Sequence, residues 1–354
     1  MNVVQRIFHR PFFIKLFNWE YWSFGAVYGW IYPVWIFLAI RARSFFFFSA
    51  SNPKIQNGGF LNESKKDIAT LIPLSMQPKT VFFSQPANAD IVIKELGKAG
   101  LMFPLIGKPN VGGRGRGVKA LKDESDVRNY VSTANMDFHI QEFVAYKNEV
   151  GVFYHRFPGR EKGKVTGIVR KEFLSVTGDG KSTIRELLLK SKRAVMYMES
   201  LETIHGKNLE AVLPNGEKLI VSPYGNHARG SMFLDDSNLI DDVFTETFDS
   251  ICKQIPEFYY GRLDIRFDNW EDFKLGKKFV IIEVNGAGSE PTHMYDPKHS
   301  LFFAWKEIVR HWIILWKISR INHKKGHPYL TTKEGLQMFR EDKEWSKKLE
   351  LMPG

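Results

Sequence analysis

Two late segments, Gly261-Arg262-Leu263-Asp264-Ile265-Arg266 and Ile281-Ile282-Glu283-Val284-Asn285-Gly286, constrain this chain more than any other feature. Each reads as a short strand, in which successive side chains point to opposite faces. In the first, Arg262, Asp264 and Arg266 share one face, and Leu263, Ile265 and Phe267 share the other. In the second, Glu283 and Asn285 share a face, opposed by Ile282 and Val284. If the two strands pair, three hard oxygen donors, Asp264, Glu283 and Asn285, converge beside an arginine. That donor set suits Mg²⁺, which takes carboxylate oxygens at near-octahedral geometry and lets phosphates complete its shell.

A second feature is Gly112-Gly113-Arg114-Gly115-Arg116-Gly117, just after Lys108-Pro109. Four glycines in six positions let the backbone approach an anion and aim N–H groups at it. Lys108, on the preceding strand, can reach a phosphate as a point charge. The loop leads into a strand and has no Gly-Lys-Ser/Thr ending, so neither phosphate-loop nor dinucleotide-binding spacing fits. Taken alone, it reads equally well as a solvated hairpin. Gln141-Glu142-Phe143-Val144 followed by Glu149 is a third constellation: a strand leaving a hinge can offer backbone groups to a base edge, and a later carboxylate can accept hydroxyls. On the residues alone it is also an ordinary surface strand.

The bulk numbers narrow the classes. With 354 residues, 44% of them hydrophobic and 25% charged, the chain can bury a sizeable core in two or three subdomains and is not of disordered composition. The net charge of +11 fits an anionic partner. No zinc spacing, RNA-recognition signature or helix-turn-helix pattern is present, so nucleic acid is not favoured. A single cysteine, Cys252, rules out an internal disulfide.

Tyr21 to Ile40 carries no charged residue and is long enough to cross a bilayer. Gly25, Gly29 and Pro33 interrupt it, and basic residues flank both ends, so charge gives no orientation. Three readings stay open: a spanning helix, an interfacial anchor suited to its Trp and Tyr, and a hydrophobic arm packed on the protein's own body. Later, Trp305 to Arg320 reads as an amphipathic helix. Leu209 to Val221 suggests a hairpin around Pro214-Asn215-Gly216. The charged tail from Asn322 onward reads as peripheral. The succession of strands and helices is mixed α+β, not a regular βαβ series.

The order of these pieces matters more than any one. Lys108 with its Gly-rich loop, Glu142-Phe143-Val144 with Glu149, Arg262-x-Asp264, then Glu283-x-Asn285, together resemble the ATP-grasp superfamily. The likeness is nearest to D-alanine–D-alanine ligase and the ATP-grasp part of cyanophycin synthetase. The segment Val176-Thr177-Gly178-Asp179-Gly180-Lys181 is especially similar to the latter. The resemblance covers about Thr80 to Pro297. It implies an α+β ATP-grasp fold, two α+β subdomains gripping ATP. Residues 1–75 would be an atypical aromatic N-terminal arm, 76–300 the ATP-grasp domain, and 301–354 an amphipathic helix and charged tail.

The resemblance also implies roles. Lys108 matches the lysine on ATP phosphates. Gly112, Gly113, Arg114, Gly115, Arg116 and Gly117 match the small loop closing over them, with arginines where serines are usual. Glu142, Phe143 and Val144 match the adenine hinge, Glu149 the ribose acceptor, and Lys171 a phosphate-binding base with Arg170 its rival. Asp264, Glu283 and Asn285 match ligands of Mg²⁺ or Mn²⁺, and Arg262 the arginine that stabilises an acyl-phosphate stage. The implied activity is an ATP-dependent carboxylate–amine ligase; a small-molecule kinase and a non-catalytic nucleotide-binding module are rivals. The implied partners are a small-molecule or peptide carboxylate and an amine, in the cytoplasm or peripherally at the inner membrane face. On the acceptor side, Arg229 in the loop Asn226 to Ser231 is a candidate for a substrate carboxylate, with a surface loop the equal alternative. His293, in the loop after the second of these strands, is a candidate to face the substrate, with a solvated loop histidine the commoner alternative.

Overall fold

The computed structural model describes residues 10–113, 115–222 and 225–352. These divide into two compact units. The first takes the described residues up to Tyr32, Val169–Asp235 and Thr292–Glu307; the second takes Pro33–Ile168, Asp236–Pro291 and everything from Ile308 onward.

In the second unit, strands β1 (Thr80–Phe83), β2 (Leu105–Pro109), β3 (Lys119–Leu121) and β4 (Phe138–Glu142) form an antiparallel sheet in the order β1-β4-β2-β3. Helices Ala89–Lys98 and Glu124–Thr133 start where Asn88 and Asp123 side chains accept backbone N–H bonds. They bury Val92, Leu96, Val127, Tyr130 and Val131 among Leu105, Leu121, Phe138 and Ile140 of the sheet. Along β2, Leu105, Gly107 and Pro109 are buried. Gly107 lies against the Tyr130 ring, where an added Cβ would sit 2.9 Å from ring carbons. The alternation therefore sends Lys108 to the opposite face.

A second sheet runs β11 (Phe279–Asn285), β10 (Tyr260–Phe267), β5 (Asn148–His155), β6 (Lys164–Glu172). Its inward residues Val150, Val152, Leu263, Ile265, Ile281 and Val284 pack on helix Asp242–Lys253. That helix presents Phe244, Phe248, Ile251 and Cys252 at i, i+4, i+7 and i+8, a single apolar stripe.

Part of the N-terminal arm belongs to this core. Phe47 and Phe48 pack with Phe153, Tyr260, Leu315 and Ile318. The buried Asn52 side chain accepts from the backbone N–H of Tyr259 (2.8 Å) and Tyr260 (3.0 Å) and donates to the carbonyls of Gly58 and Tyr260, both at 2.9 Å. Gly58 and Gly59 adopt positive φ of 68° and 76°. Their carbonyls accept from the N–H of Ala287 (3.0 Å) and Gly288 (2.8 Å). The approach is close enough that a Cβ on Gly59 would lie 2.7 Å from Gly286 Cα. The arm thus clasps the end of β11.

Two expectations need correction. Tyr21 to Ile40 is no single helix: Trp19–Tyr21, Phe24–Tyr28 and Tyr32–Ala42 are separate short helices. Among the described residues, no helix is long and apolar enough to cross a membrane. The tail is not peripheral either. Helix Thr332–Glu350 opens on a Thr331/Glu334 capping box and buries Met338 and Leu349, with Met352 just beyond it.

In the first unit, β7 (Leu174–Thr177) pairs antiparallel with β8 (Lys218–Ser222), and Val169–Glu172 of β6 pairs with β9 (Met232–Asp235). The expected hairpin is therefore a longer-range pairing: β8 takes β7 as its partner, and Pro214–Glu217 is only the turn before it. Leu174, Val176, Ile184, Leu188, Leu201 and Val221 form this unit's core.

Candidate active site

Strands β10 and β11 are antiparallel, with Asp264 directly opposite Glu283 and Arg262 directly opposite Asn285. Directly opposed residues in a sheet share a face, so all four side chains lie on one side. A register irregularity follows Asp264, after which Ile265 faces Ile281. The four-residue face ends there. Arg262 forks onto Asp264 through Nε–Oδ1 (2.7 Å) and Nη2–Oδ2 (3.2 Å). Burial opposes the Arg262 charge, but the Asp264 carboxylate outweighs it and raises the guanidinium's pKa.

Glu283 is more open, its side chain 37% exposed, with Lys65 Nζ 3.9 Å away. Lys65 also donates to the carbonyl of Gly112, and its backbone N–H donates to Asn110 O at 2.9 Å. Lys108 donates to Gln141 Oε1 at 2.8 Å. Desolvation pushes the Lys108 ammonium down to about 8; Glu283 works against that and Lys65 with it. The buried His139, opposite Lys108 on β4, is held well below its usual value by burial and then by the charges of Lys108 and Lys65. Lys108, Lys65 and Glu283 therefore act on one another electrostatically.

The expected hinge is tied by Arg266. Its Nε meets Glu149 Oε2 at 3.1 Å, its Nη1 donates to Val144 O at 3.0 Å, and its guanidinium lies 5.9 Å from the Phe143 ring centre. Glu149 is 5% exposed and opposite Arg266 in register. The Glu142 carboxylate accepts from the Lys79 N–H at 2.8 Å, closing β4 against β1. Phe143 is 44% exposed.

The glycine loop connects β2 to β3 as an antiparallel hairpin. Gly112, Gly115 and Gly117 take φ of 122°, 70° and 68°. Arg114 lies outside the described residues. Lys171 belongs to the first unit, buried on β6 opposite Phe233. His293 also lies in the first unit. It is buried, not solvated, and paired with Glu307 at 3.2 Å.

Two residues escaped the sequence reading. Arg266 had a signal, since it shares the face of Arg262 and Asp264. Lys65 had none, because its role follows from helix Lys65–Leu71 meeting Asn110 and Gly112 across a long stretch of chain.

Among the described residues no three His, Cys, Asp or Glu side chains gather as a metal centre; the trio here depends on an asparagine. A concavity lined by Arg156, Arg160, Lys162, Glu246 and Lys253 contains none of the expected residues. Ion pairs Lys162–Glu246 and Lys253–Asp249 lie within it.

No protein-family model matches the chain. Over 202 residues, 50% of its length, it is 26% identical to the glutathione biosynthesis bifunctional protein of Clostridium perfringens, and the match covers 25% of that protein. Among solved structures it is similar to a bifunctional glutathione synthetase from Pasteurella multocida: TM-score 0.39, 11% identity, 71% of this chain and 35% of that one. A D-Ala:D-Ser ligase from Enterococcus faecalis gives TM-score 0.41, 15% identity, and coverage of 72% and 61%. A D-alanine–D-alanine ligase from Bacillus anthracis gives TM-score 0.41, 15% identity, and coverage of 74% and 69%. The chain is an α+β protein, similar over half its length to a quarter of that glutathione biosynthesis protein.

Proposed function

We propose that this chain is an ATP-dependent ligase that joins a carboxylate to an amine. The observation that carries the reading is the single face on β10 and β11 bearing Arg262, Asp264, Glu283 and Asn285, with Lys108 and Lys65 acting on Glu283.

A cation fits this donor set. Asp264 and Glu283 supply hard oxygens. Asn285 Nδ2 is buried without a hydrogen-bond partner among the described residues. Amide O and N positions are interchangeable by rotation, so Asn285 can turn its oxygen to that place without breaking a bond at Nδ2. Mg²⁺ or Mn²⁺ on these residues would neutralise phosphate charge and hold the nucleotide in place.

The remaining chemistry is positioning and charge stabilisation. Lys108 would bind the phosphates of ATP, with Gly112, Gly113, Arg114, Gly115, Arg116 and Gly117 as the covering loop and Lys171 as a further phosphate contact. Glu142, Phe143 and Val144 would meet the adenine, and Glu149 the ribose, with Arg266 holding that hinge in shape. The γ-phosphoryl group would pass to a substrate carboxylate oxygen with ADP leaving. An amine would then attack the acyl carbon and expel phosphate. Arg262 would stabilise the charge that builds on the transferring group. Its partners would be a small carboxylate or peptide, an amine and a membrane surface, with the reaction on the cytoplasmic side.

Phosphate release from ATP, measured across paired carboxylates and amines, tests this. A ligase releases phosphate only when both are present. Phosphate left on a single acceptor would make the chain a kinase. Nucleotide binding with no turnover for any pair would make it a binding module.

A further inference from the structure

Helix Tyr32–Ala42 is apolar on both sides. One side packs inward: Leu38 and Ala39 are buried, and Trp35 lies 4.7 Å from the Phe47 ring and 5.1 Å from that of Trp312. The other side carries Ile36, Phe37 and Ile40, at 43%, 57% and 66% exposure, followed by Phe45 at 63%. A helix apolar all round belongs in a core or against lipid, and this one has only half a core.

The charges flanking it in the sequence have one sign. No acidic residue occurs between Glu20 and Glu63, while Arg41, Arg43 and Lys54 all fall in that interval. The Arg41 guanidinium lies 5.9 Å from the Phe37 ring centre, on the apolar side itself. A second copy meeting this face symmetrically would set arginines against arginines, with no acid in the flanking sequence to receive them. Anionic headgroups supply what is missing, attracting Lys and Arg near the surface while the apolar side chains enter the acyl boundary. Eleven residues make a helix of about 16 Å, roughly half the hydrocarbon thickness, so it can lie on a bilayer but cannot cross it. The same composition recurs in the first unit, where helix Pro11–Phe17 buries Ile14 and exposes Phe12, Leu16 and Phe17 beside Lys15.

We propose that Ile36, Phe37, Ile40 and Phe45, with Arg41 and Arg43, form a docking face for an anionic lipid surface, on which helix Tyr32–Ala42 lies flat. This does not depend on the ligase reading.

Flotation of the full chain with phosphatidylcholine vesicles, with and without phosphatidylserine, tests it. The protein should float only with phosphatidylserine and be released by salt. Phe37→Ser with Ile40→Ser should lower partitioning at least about tenfold, and Arg41→Glu with Arg43→Glu by about thirtyfold. Cys252 is buried, so an Ile40→Cys variant takes a polarity-sensitive dye at one place, and that dye should brighten on the same vesicles. Three results would overturn the proposal. One is no binding to anionic vesicles. Another is equal partitioning of the wild type and the Phe37/Ile40 variant. The third is a concentration-dependent dimer that this variant abolishes without any vesicle binding.

Discussion

Two inward clusters of acids and bases, one from each unit, are finished differently. In the first unit, Glu20 takes Arg193 Nη2 and, at 2.9 Å, His227 Nε2, with Arg193 also 5.6 Å from the Tyr21 ring centre. Burial pushes the Glu20 pKa up, but the His227 hydrogen bond and the Arg193 charge prevail and hold it below its usual value. Such a network is complete by itself. In the second unit, Lys108 meets a neutral glutamine oxygen, Glu283 stays partly open, and Asn285 Nδ2 has no partner among the described residues. Groups left short of partners beside a lysine whose charge burial opposes are what the proposed nucleotide site would offer another molecule. The contrast teaches that pairing alone does not identify a site; the shortfall in pairing does.

The sharpest way to break this contrast is Glu283→Gln. ATP turnover should fall about a thousandfold, equivalent to ~4 kcal/mol of barrier. The unfolding midpoint should hold, because an exposed ion pair contributes little. Turnover at the wild-type rate in the purified variant would remove Glu283 from the site.

Glu20→Ala should do the reverse. It leaves Arg193 and His227 without their shared acid, at a cost of about 3 kcal/mol read by denaturant unfolding. The same carboxylate sets a pH dependence. Its folded pKa lies below the unfolded one, so its contribution is present above about pH 4.5 and lost as pH falls through the lower folded value. The Glu20→Ala protein should show a flatter acid limb in a stability profile. An identical limb would assign that slope to other carboxylates.

Lys108 refines the second cluster. Phosphates favour its charged form, so ATP binding above pH 8 should take up a proton, and affinity should be about tenfold tighter at pH 7 than at pH 9. Calorimetry in two buffers of different ionisation heat reads the uptake. Lys108→Arg should abolish it, and persistence there would place the proton elsewhere.

The smallest effect belongs to Asp179. Its carboxylate accepts from the N–H of Lys181 (3.0 Å) and Ser182 (2.6 Å), and these bonds hold its pKa below the usual range. Asp179→Ala should speed amide exchange at those two positions and leave the melting temperature unmoved. The Val-Thr-Gly-Asp-Gly-Lys segment, so prominent in the sequence, thus serves as a turn that delivers Thr183 to its capping box.

Legibility followed the range of the forces involved. β10 and β11 were readable because period-two alternation is local. β9 was missed, since four residues carry too little pattern before pairing with β6 defines them. The tail looked peripheral because its charges outnumber Met338, Leu349 and Met352, whose burial depends on distant partners. Lys65 was invisible for the same reason.

The clasp around Asn52 has a practical consequence. A protein engineer seeking a shorter catalytic fragment would discard the first sixty residues as a greasy leader. That cut would strip three hydrogen bonds from Tyr259 and Tyr260, one each from Ala287 and Gly288, and unfasten the strand that ends in Asn285. The smallest folded version of this protein must retain the very stretch that makes it awkward to handle.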